Sequence, residues 1–217
     1  MRFPIYRKIM LLISIIILAV PVSSANSELL KKARTLQRNG QFDEAIDAYT
    51  SYLTKPAEED IDLAMYTDAL VQLMNTFQSK GDPEGCISAL QEVFESSPTL
   101  QNEYLRDFYS VMGYALSRTE KMKQAEETTL KALTLPLHNA TPERYFRDYA
   151  YAAAVFYSNP DYQNEVIDWC QEALVQAKSC KNTSGEQWVM SMLGSLYKRT
   201  GNLTSALELF QRSIEES

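Results

Sequence analysis

Apolar positions recur three and four residues apart along most of this 217-residue chain. That spacing places the apolar side chains on one face of a helix with about 3.6 residues per turn. The clearest examples are the segments from Tyr109 to Leu116 and from Met190 to Tyr197. The sequence contains no convincing run of alternating apolar and polar residues, which a half-buried strand would require. The pattern predicts an all-α fold.

The helical pattern repeats with a period of about forty residues. Five similar segments each carry a small or modest apolar residue at the fourth place, namely Ala45, Cys86, Ala125, Val166 and Ala206. The steps between these residues are 41, 39, 41 and 40. A second helical pattern precedes each segment, so five helix hairpins, or about ten helices, are predicted. A fixed period of this length is typical of stacked repeat proteins.

Turn and capping residues separate the predicted helices. Gly adopts the left-handed conformation after a helix end at little cost, and Pro fits the first turn of the next helix. Such residues occur at Asn39-Gly40, Gly81-Asp82-Pro83, Asn159-Pro160 and Gly201-Asn202. Thr141 and Ser184 are predicted as N-caps, the second within a capping box. The predicted repeats cover residues 27–57, 60–99, 102–136, 142–179 and 183–216.

The hairpins resemble the tetratricopeptide repeat family. Its first helix has the pattern W-x2-L-G-x2-Y, and its second helix has A-x3-F, followed by Pro. The matching residues are Tyr109, Met112, Gly113 and Leu116 in the third hairpin, Met190, Leu193, Gly194 and Tyr197 in the fifth, and Ala45 with Tyr49 and Ala206 with Phe210 in second helices. Thr129 and Cys170 depart from the pattern by replacing its large aromatic residue. The resemblance implies a right-handed α-solenoid of about five hairpins.

Close backbone approach is expected within each hairpin. Small residues on the first helix should face small residues on the second, with Gly113 against Ala125 and Gly194 against Ala206. Small side chains at such a contact let two helix backbones come together, and larger apolar neighbours fill the surrounding space.

The family resemblance also implies where a partner binds. In this family the first helices of the hairpins line a concave groove that takes extended or helical peptides. Projection of those helices gives nine candidate partner-binding residues, which are Arg34, Arg38, Asn75, Gln78, Tyr114, Arg118, Tyr151, Lys198 and Arg199. The basic residues favour an acidic peptide or carboxylate ligand, although cations near helix C-termini also simply complement the helix dipole. Leu30 and Val71 stand where the Lys/Asn carboxylate clamp of some family members needs polar residues.

The first 25 residues have the order of a secretory signal peptide. A basic start is followed by a predominantly apolar run of 12 residues from Ile9 to Val20, and then by the small residues Ser23-Ser24-Ala25. The run is shorter than the roughly 20 residues that span a bilayer, and an uncleaved N-terminal anchor is the alternative. Cleavage after Ala25 would leave residues 26–217 as the repeat domain. It would remove three of the 21 basic residues, which leaves 18 against 28 acidic ones.

The acidic balance argues against nucleic acid or anionic membrane as the main partner. The sequence also lacks the patterns of catalytic and metal sites. The single histidine, His138, lies in a predicted loop without metal co-ligands or a nucleophile beside it. We therefore predict neither an enzyme nor a bound cofactor or metal. Cys86 and Cys170 are expected to be buried thiols, and a Cys170–Cys180 disulfide is the alternative.

These features predict an exported scaffold that binds a protein or peptide partner, most simply in a bacterial periplasm. The repeats are similar to periplasmic repeat regions that precede a membrane helix and a kinase or DNA-binding domain. The last helix runs to residue 217 without a polar capping helix, which repeat arrays normally need. That feature favours the sensor part of a longer, membrane-linked signalling protein. A structural component of envelope assembly or secretion is the alternative function.

Overall fold

The structure is a computed structural model and describes residues 22–54, 62–97 and 104–215. These residues form ten α-helices and one short 3-10 helix at Pro160–Tyr162. The α-helices are α1 (Val22–Arg38), α2 (Phe42–Thr54), α3 (Leu63–Lys80), α4 (Pro83–Ser96), α5 (Leu105–Leu116), α6 (Met122–Thr134), α7 (Pro142–Phe156), α8 (Gln163–Ser179), α9 (Thr183–Arg199) and α10 (Leu203–Glu215). No strand occurs within the described ranges. The predicted all-α fold is confirmed there. The predicted signal peptide lies outside these ranges except for residues 22–25.

The chain divides into two compact units, residues 1–80 and 81–217. The division falls within the second predicted repeat, between α3 and α4. In unit 1, α2 packs against both α1 and α3. In unit 2, three pairs pack as hairpins, which are α5–α6, α7–α8 and α9–α10. Contacts of α5 with α7, of α6 with α7 and of α8 with α9 join these hairpins.

The helix ends follow the predicted turn chemistry. Gly40 and Gly201 lie two residues past the ends of α1 and α9 at φ +75° and +83°, a left-handed conformation that residues other than Gly rarely adopt. Before α4, the Asp82 carboxylate accepts a hydrogen bond from the Gly85 N–H at 2.9 Å. Each of these residues stops one helix or starts the next within a few residues, which keeps the hairpin turns short.

One predicted cap is confirmed and one is wrong. The Thr141 hydroxyl accepts from the Arg144 N–H at the start of α7. At the start of α9, however, the cap is Asn182, whose side-chain oxygen accepts from the Gly185 N–H at 2.9 Å. Ser184 already lies inside the first turn of that helix, so its hydroxyl is past the position from which a side chain can cap it.

The close approach predicted at Gly113 is confirmed. A Cβ placed there would lie 2.3 Å from the Thr129 Oγ1 and 3.3 Å from the Ala125 carbonyl oxygen, so no larger residue fits without movement. At Gly194 the nearest atoms belong to the ring of Phe210, at 2.9 Å from such a Cβ. The expected pairing of Gly194 with Ala206 stays a prediction, since the three atoms nearest to such a Cβ all belong to the Phe210 ring.

All three cysteines are free thiols. Cys86 and Cys170 are buried as predicted, and burial raises the pKa of each thiol to about 12. The alternative Cys170–Cys180 disulfide is wrong. Cys170 lies within α8 and Cys180 caps its C-terminus. Ten residues of helix separate two Cα atoms by about 15 Å, far beyond the reach of a disulfide.

Candidate functional site

One position recurs on the first helices of successive hairpins. It carries Asp68 on α3, Asp107 on α5, Asp148 on α7 and Trp188 on α9, at steps of 39, 41 and 40 residues. The three carboxylates all pair with arginines of a neighbouring first helix, within unit 1 for Asp68 and within unit 2 for the other two. The fourth member of the series replaces the carboxylate with an indole ring.

Three aromatic side chains meet in unit 2, and we call Tyr114, Tyr151 and Trp188 the aromatic cluster. The rings of Tyr114 and Tyr151 stack with centroids 4.4 Å apart and planes 7° apart. Trp188 meets both edge-on, with centroid distances of 6.1 and 6.4 Å. The three rings come from α5, α7 and α9, so the cluster crosses three successive first helices. Such stacked and edge-on arrangements suit the charge distribution of aromatic rings.

The cluster has a buried base and an accessible edge. Tyr151 keeps only 8% of its surface exposed, and burial raises the pKa of its hydroxyl. Tyr114 and Trp188 are half-buried. Tyr151 therefore supports the other two rings, which keep part of their aromatic surface exposed to solvent.

A buried ion network, consisting of Arg106, Asp107, Arg144, Arg147 and Asp148, lies between α5 and α7. Both carboxylates are fully buried, and the arginine side chains keep 11%, 5% and 12% of their surface in chain order. Burying charges of this kind is stabilising only when each is paired and hydrogen-bonded. Most of the polar atoms in the network meet that condition, and Arg147 Nε is a buried exception.

Asp107 is held by two arginines of α7. Its Oδ1 accepts from Arg144 Nε at 3.0 Å, its Oδ2 accepts from Arg144 Nη2, and Oδ1 also accepts from Arg147 Nη2. Arg144 Nη1 additionally donates to the carbonyl oxygens of His138 and Asn139. The two-point contact fixes the guanidinium of Arg144 in one orientation and ties the loop before α7 to α5.

Asp148 receives its hydrogen bonds from α5. Arg106 Nε donates to Oδ2 at 2.6 Å, and the Ser110 hydroxyl donates to Oδ1 at 2.6 Å. Burial raises the pKa of Asp148, while the Ser110 hydroxyl and the arginines oppose the rise. Arg106 Nη1 also donates to the Leu135 carbonyl oxygen at 2.7 Å. Each of the two helices, α5 and α7, thus supplies a carboxylate that pairs with an arginine of the other.

Unit 1 contains a more open form of the same pairing. Arg34 Nη2 and Asp68 Oδ2 lie 2.7 Å apart, and each side chain is 40% exposed. Arg34 and Arg38, two of the predicted partner-binding residues, line one shallow depression with Gln37, Asp68 and Gln72. Asn75 and Gln78 are further along α3 and do not line it.

The remaining predicted residues have different surroundings. Tyr114 and Tyr151 belong to the aromatic cluster, and Arg118 and Lys198 are exposed. Arg199 Nη2 donates to the Tyr157 carbonyl oxygen at 2.6 Å, and its guanidinium lies 4.8 Å from the centre of the Tyr157 ring. Arg199 therefore joins α9 to the end of α7, which occupies it within the protein itself.

The sequence interpretation missed Trp188 and all five members of the ion network. The overlooked signal was the recurrence of Asp at one repeat position, since the steps of 39 and 41 match those between the small residues of the second helices. Trp188 occupies that same position one repeat later. A recurring charged residue on an otherwise core-facing stripe indicates a paired, buried charge.

No metal or membrane site is evident in the described residues. They contain no group of three or more His, Cys, Asp or Glu side chains placed to hold a metal ion. None of their helices combines the length and apolar character that a membrane crossing needs. The candidate site is the aromatic cluster together with the ion network beside it, because both join successive first helices of unit 2.

Comparison with known families and structures bears on the fold. Residues 29–56 and 189–217 match tetratricopeptide repeat models, and these ranges contain the α1–α2 turn and the α9–α10 turn. The chain is a tetratricopeptide repeat (TPR) protein. No curated protein shows significant similarity to it.

Several solved structures resemble this TPR protein along most of its length. BtubC from P. vanneervenii superposes with a TM-score of 0.60 at 16% identity, over 89% of this chain and 88% of that one. A Podosopora anserina protein with nearly identical TPR-like repeats gives 0.59 at 17% identity, over 89% and 94%. MamA from Desulfovibrio magneticus RS-1 gives 0.54 at 14% identity, over 88% and 94%. At such identities the likeness shows the fold alone.

Proposed function

We propose that this TPR protein is an interaction scaffold that binds a protein or peptide partner at the aromatic cluster. The observation that carries the proposal is the convergence of Tyr114, Tyr151 and Trp188 from three successive first helices. Tyr and Trp provide large contact areas with little loss of side-chain freedom, and they are enriched among the residues that dominate binding energy. The TPR family supports the proposal, because first helices are the expected binding surface of such repeats.

Site-specific crosslinking tests this function directly. A photoreactive phenylalanine analogue at Tyr114 should capture the partner in the cell, whereas the same analogue at Val175, which is 56% exposed on α8, should not. Tyr114→Ala should then lower the amount of partner recovered with the purified chain by at least about tenfold, the loss expected for an aromatic anchor.

A matched aromatic control separates binding from folding. Tyr145 stacks on Tyr149 at 6.2 Å on α7 and is not part of the aromatic cluster. Tyr145→Ala should leave partner recovery unchanged. Equal losses from Tyr114→Ala and Tyr145→Ala, or equal capture from positions 114 and 175, would show that the aromatic cluster is not the binding surface.

We further propose that the protein acts outside the cytoplasm. The basic, apolar and small-residue order of residues 1–25 supports this, and most of that segment lies outside the described residues. Residues 1–25 fused to alkaline phosphatase should give activity in a bacterial host, because that enzyme folds only where its disulfides form. Ile16→Arg should abolish the activity by interrupting the apolar run. A fusion that is inactive, or one that Ile16→Arg leaves active, would refute export.

The finer form of the proposal is a sensor region in a membrane-linked signalling protein. The similarity to periplasmic repeat regions supports it. A sensor should bind its partner to a different extent when the external signal changes. The amount of partner captured at position 114 should therefore vary with growth conditions at constant protein level. Constant capture of an abundant envelope protein would favour the alternative role in envelope assembly.

A further inference from the structure

The buried ion network contains more positive than negative charge. Its three arginines face two carboxylates, and both carboxylates are fully buried. Asp148 is occupied by Arg106 and Ser110. Asp107 is occupied at both oxygens by Arg144. The network therefore carries one arginine beyond what its own carboxylates balance.

Arg147 is the arginine that is least satisfied. Arg144 donates from all three of its guanidinium nitrogens, whereas Arg147 donates from Nη2 alone, to an Asp107 oxygen that already accepts from Arg144. Its Nε is buried without a hydrogen-bond partner, and Nη1 donates to no group in the described ranges. A buried donor without an acceptor is unfavourable in the unbound protein.

The surroundings of Arg147 connect it to the aromatic cluster. Tyr151 follows it by one turn on α7, so the two side chains point to the same face of the helix. The charge of Arg147 opposes the burial-induced rise in the pKa of Tyr151, which also indicates that the two groups are close. About 12% of the Arg147 side chain remains exposed, so solvent, and therefore an anion, can reach part of it.

We propose that Arg147 is an anion subsite that receives a carboxylate of the bound partner, while a neighbouring residue of the partner lies against Tyr114 and Trp188. This inference rests on the proposed function and specifies its ligand as an acidic segment next to an apolar or aromatic residue. A guanidinium matches a carboxylate in shape and charge, and the unpaired Nη1 of Arg147, which is not among its buried atoms, would gain an acceptor on binding. The Lys/Asn carboxylate clamp is replaced here by Leu30 and Val71 and plays no part in this subsite.

A random peptide library displayed on phage provides the test. Peptides selected on the purified full-length chain should contain Asp or Glu beside an aromatic residue. For a selected peptide, replacing the acidic residue with its amide should weaken binding to the wild-type chain by about tenfold, the range expected for a charge-assisted hydrogen bond.

The decisive measurement is the acid-over-amide preference in two variants. Arg147→Gln should reduce the preference to about one, because it keeps a hydrogen-bond donor but removes the charge. Arg147→Lys should keep most of it. Because the preference is a ratio within one variant, a change in stability alone does not alter it, and circular dichroism confirms folding of each.

The outcomes distinguish the subsite from the function on which it rests. The subsite would be overturned by an undiminished acid preference in Arg147→Gln, or by selected peptides that lack acidic residues. In either case, binding that is sensitive to Tyr114→Ala would still support the scaffold. Selection of no peptide at all, or binding indifferent to Tyr114→Ala, would overturn both.

Discussion

Two glycines that occupy the same repeat position should respond differently to the same substitution. Both Gly113→Ala and Gly194→Ala gain about 1 kcal/mol of helix propensity. At Gly113 the new methyl group meets the Thr129 Oγ1 at 2.3 Å and backbone atoms of Thr129 and Ala125 at 3.2 and 3.3 Å. The helix backbone at Thr129 and Ala125 cannot move away from the methyl group as a flexible side chain could, and a β-branched Thr has few alternative rotamers. Overpacking of about 2–3 kcal/mol should therefore outweigh the gain, for a net loss of about 1–2 kcal/mol.

The contact at Gly194 is more forgiving. Its three nearest atoms all belong to the ring of Phe210, at 2.9–3.2 Å, and that half-buried side chain on α10 can rotate away. Overpacking of roughly 1 kcal/mol should cancel the propensity gain, so Gly194→Ala should leave the free energy of unfolding nearly unchanged.

Denaturant unfolding followed by tryptophan fluorescence measures the difference. Both tryptophans of the chain lie on α8 and α9, in the unit that carries both glycines. Adding Thr129→Ala to Gly113→Ala should restore at least about 1 kcal/mol, because it removes the closest clashing atom. Equal stability of the two single variants, or no recovery in the double variant, would show that backbone proximity at Gly113 does not limit this hairpin.

Three further predictions concern charge and ionisation. Asp107→Asn should lower the free energy of unfolding by about 3–5 kcal/mol because it leaves buried arginines without a carboxylate. Asp68→Asn, in a pair whose two side chains are each 40% exposed, should cost less than about 1 kcal/mol. Similar losses of the two variants in denaturant titrations would contradict this prediction. Cys180, half-buried at a helix end, should react with a disulfide reagent in the native protein, and the two buried cysteines should react only on unfolding; native reactivity in Cys180→Ser would refute the assignment. Burial first, and then the charge of Asp68, raises the pKa of Tyr49 from 10.0 to about 12. Its neutral phenol therefore stabilises the fold fully below pH 10, and this contribution should be lost as pH rises through about 12. The stability of Tyr49→Phe should consequently fall less over that interval, and an identical fall would argue against the shift.

The fold could be predicted because the repeat pattern depends on local and nearest-neighbour physics. The steps near forty between Ala45, Cys86, Ala125, Val166 and Ala206 located the second helices, and the turn residues located most helix ends. The exception at α9 shows the limit of such local reasoning. Asn182 and Ser184 both have capping side chains, and sequence alone did not decide which of them directly precedes the helix.

The candidate site was predicted only in part. Helical projection placed Tyr114 and Tyr151 on the partner-facing set, and the structure brings their rings into contact. Projection treats each helix separately, however, and cannot show that Asp148 reaches back to Arg106 across 42 residues. The same limit hid Trp188, whose ring meets residues of two other hairpins.

The carboxylate series also fixes the order in which the hairpins can follow one another. The fourth hairpin supplies Asp148 to an arginine of the third, and the fifth supplies Trp188 at the same position. Exchanging those two hairpins would place an indole ring against Arg106 and leave the charge of its guanidinium without a carboxylate partner. Gain, loss or shuffling of single units, which uniform arrays tolerate, should thus be selected against here.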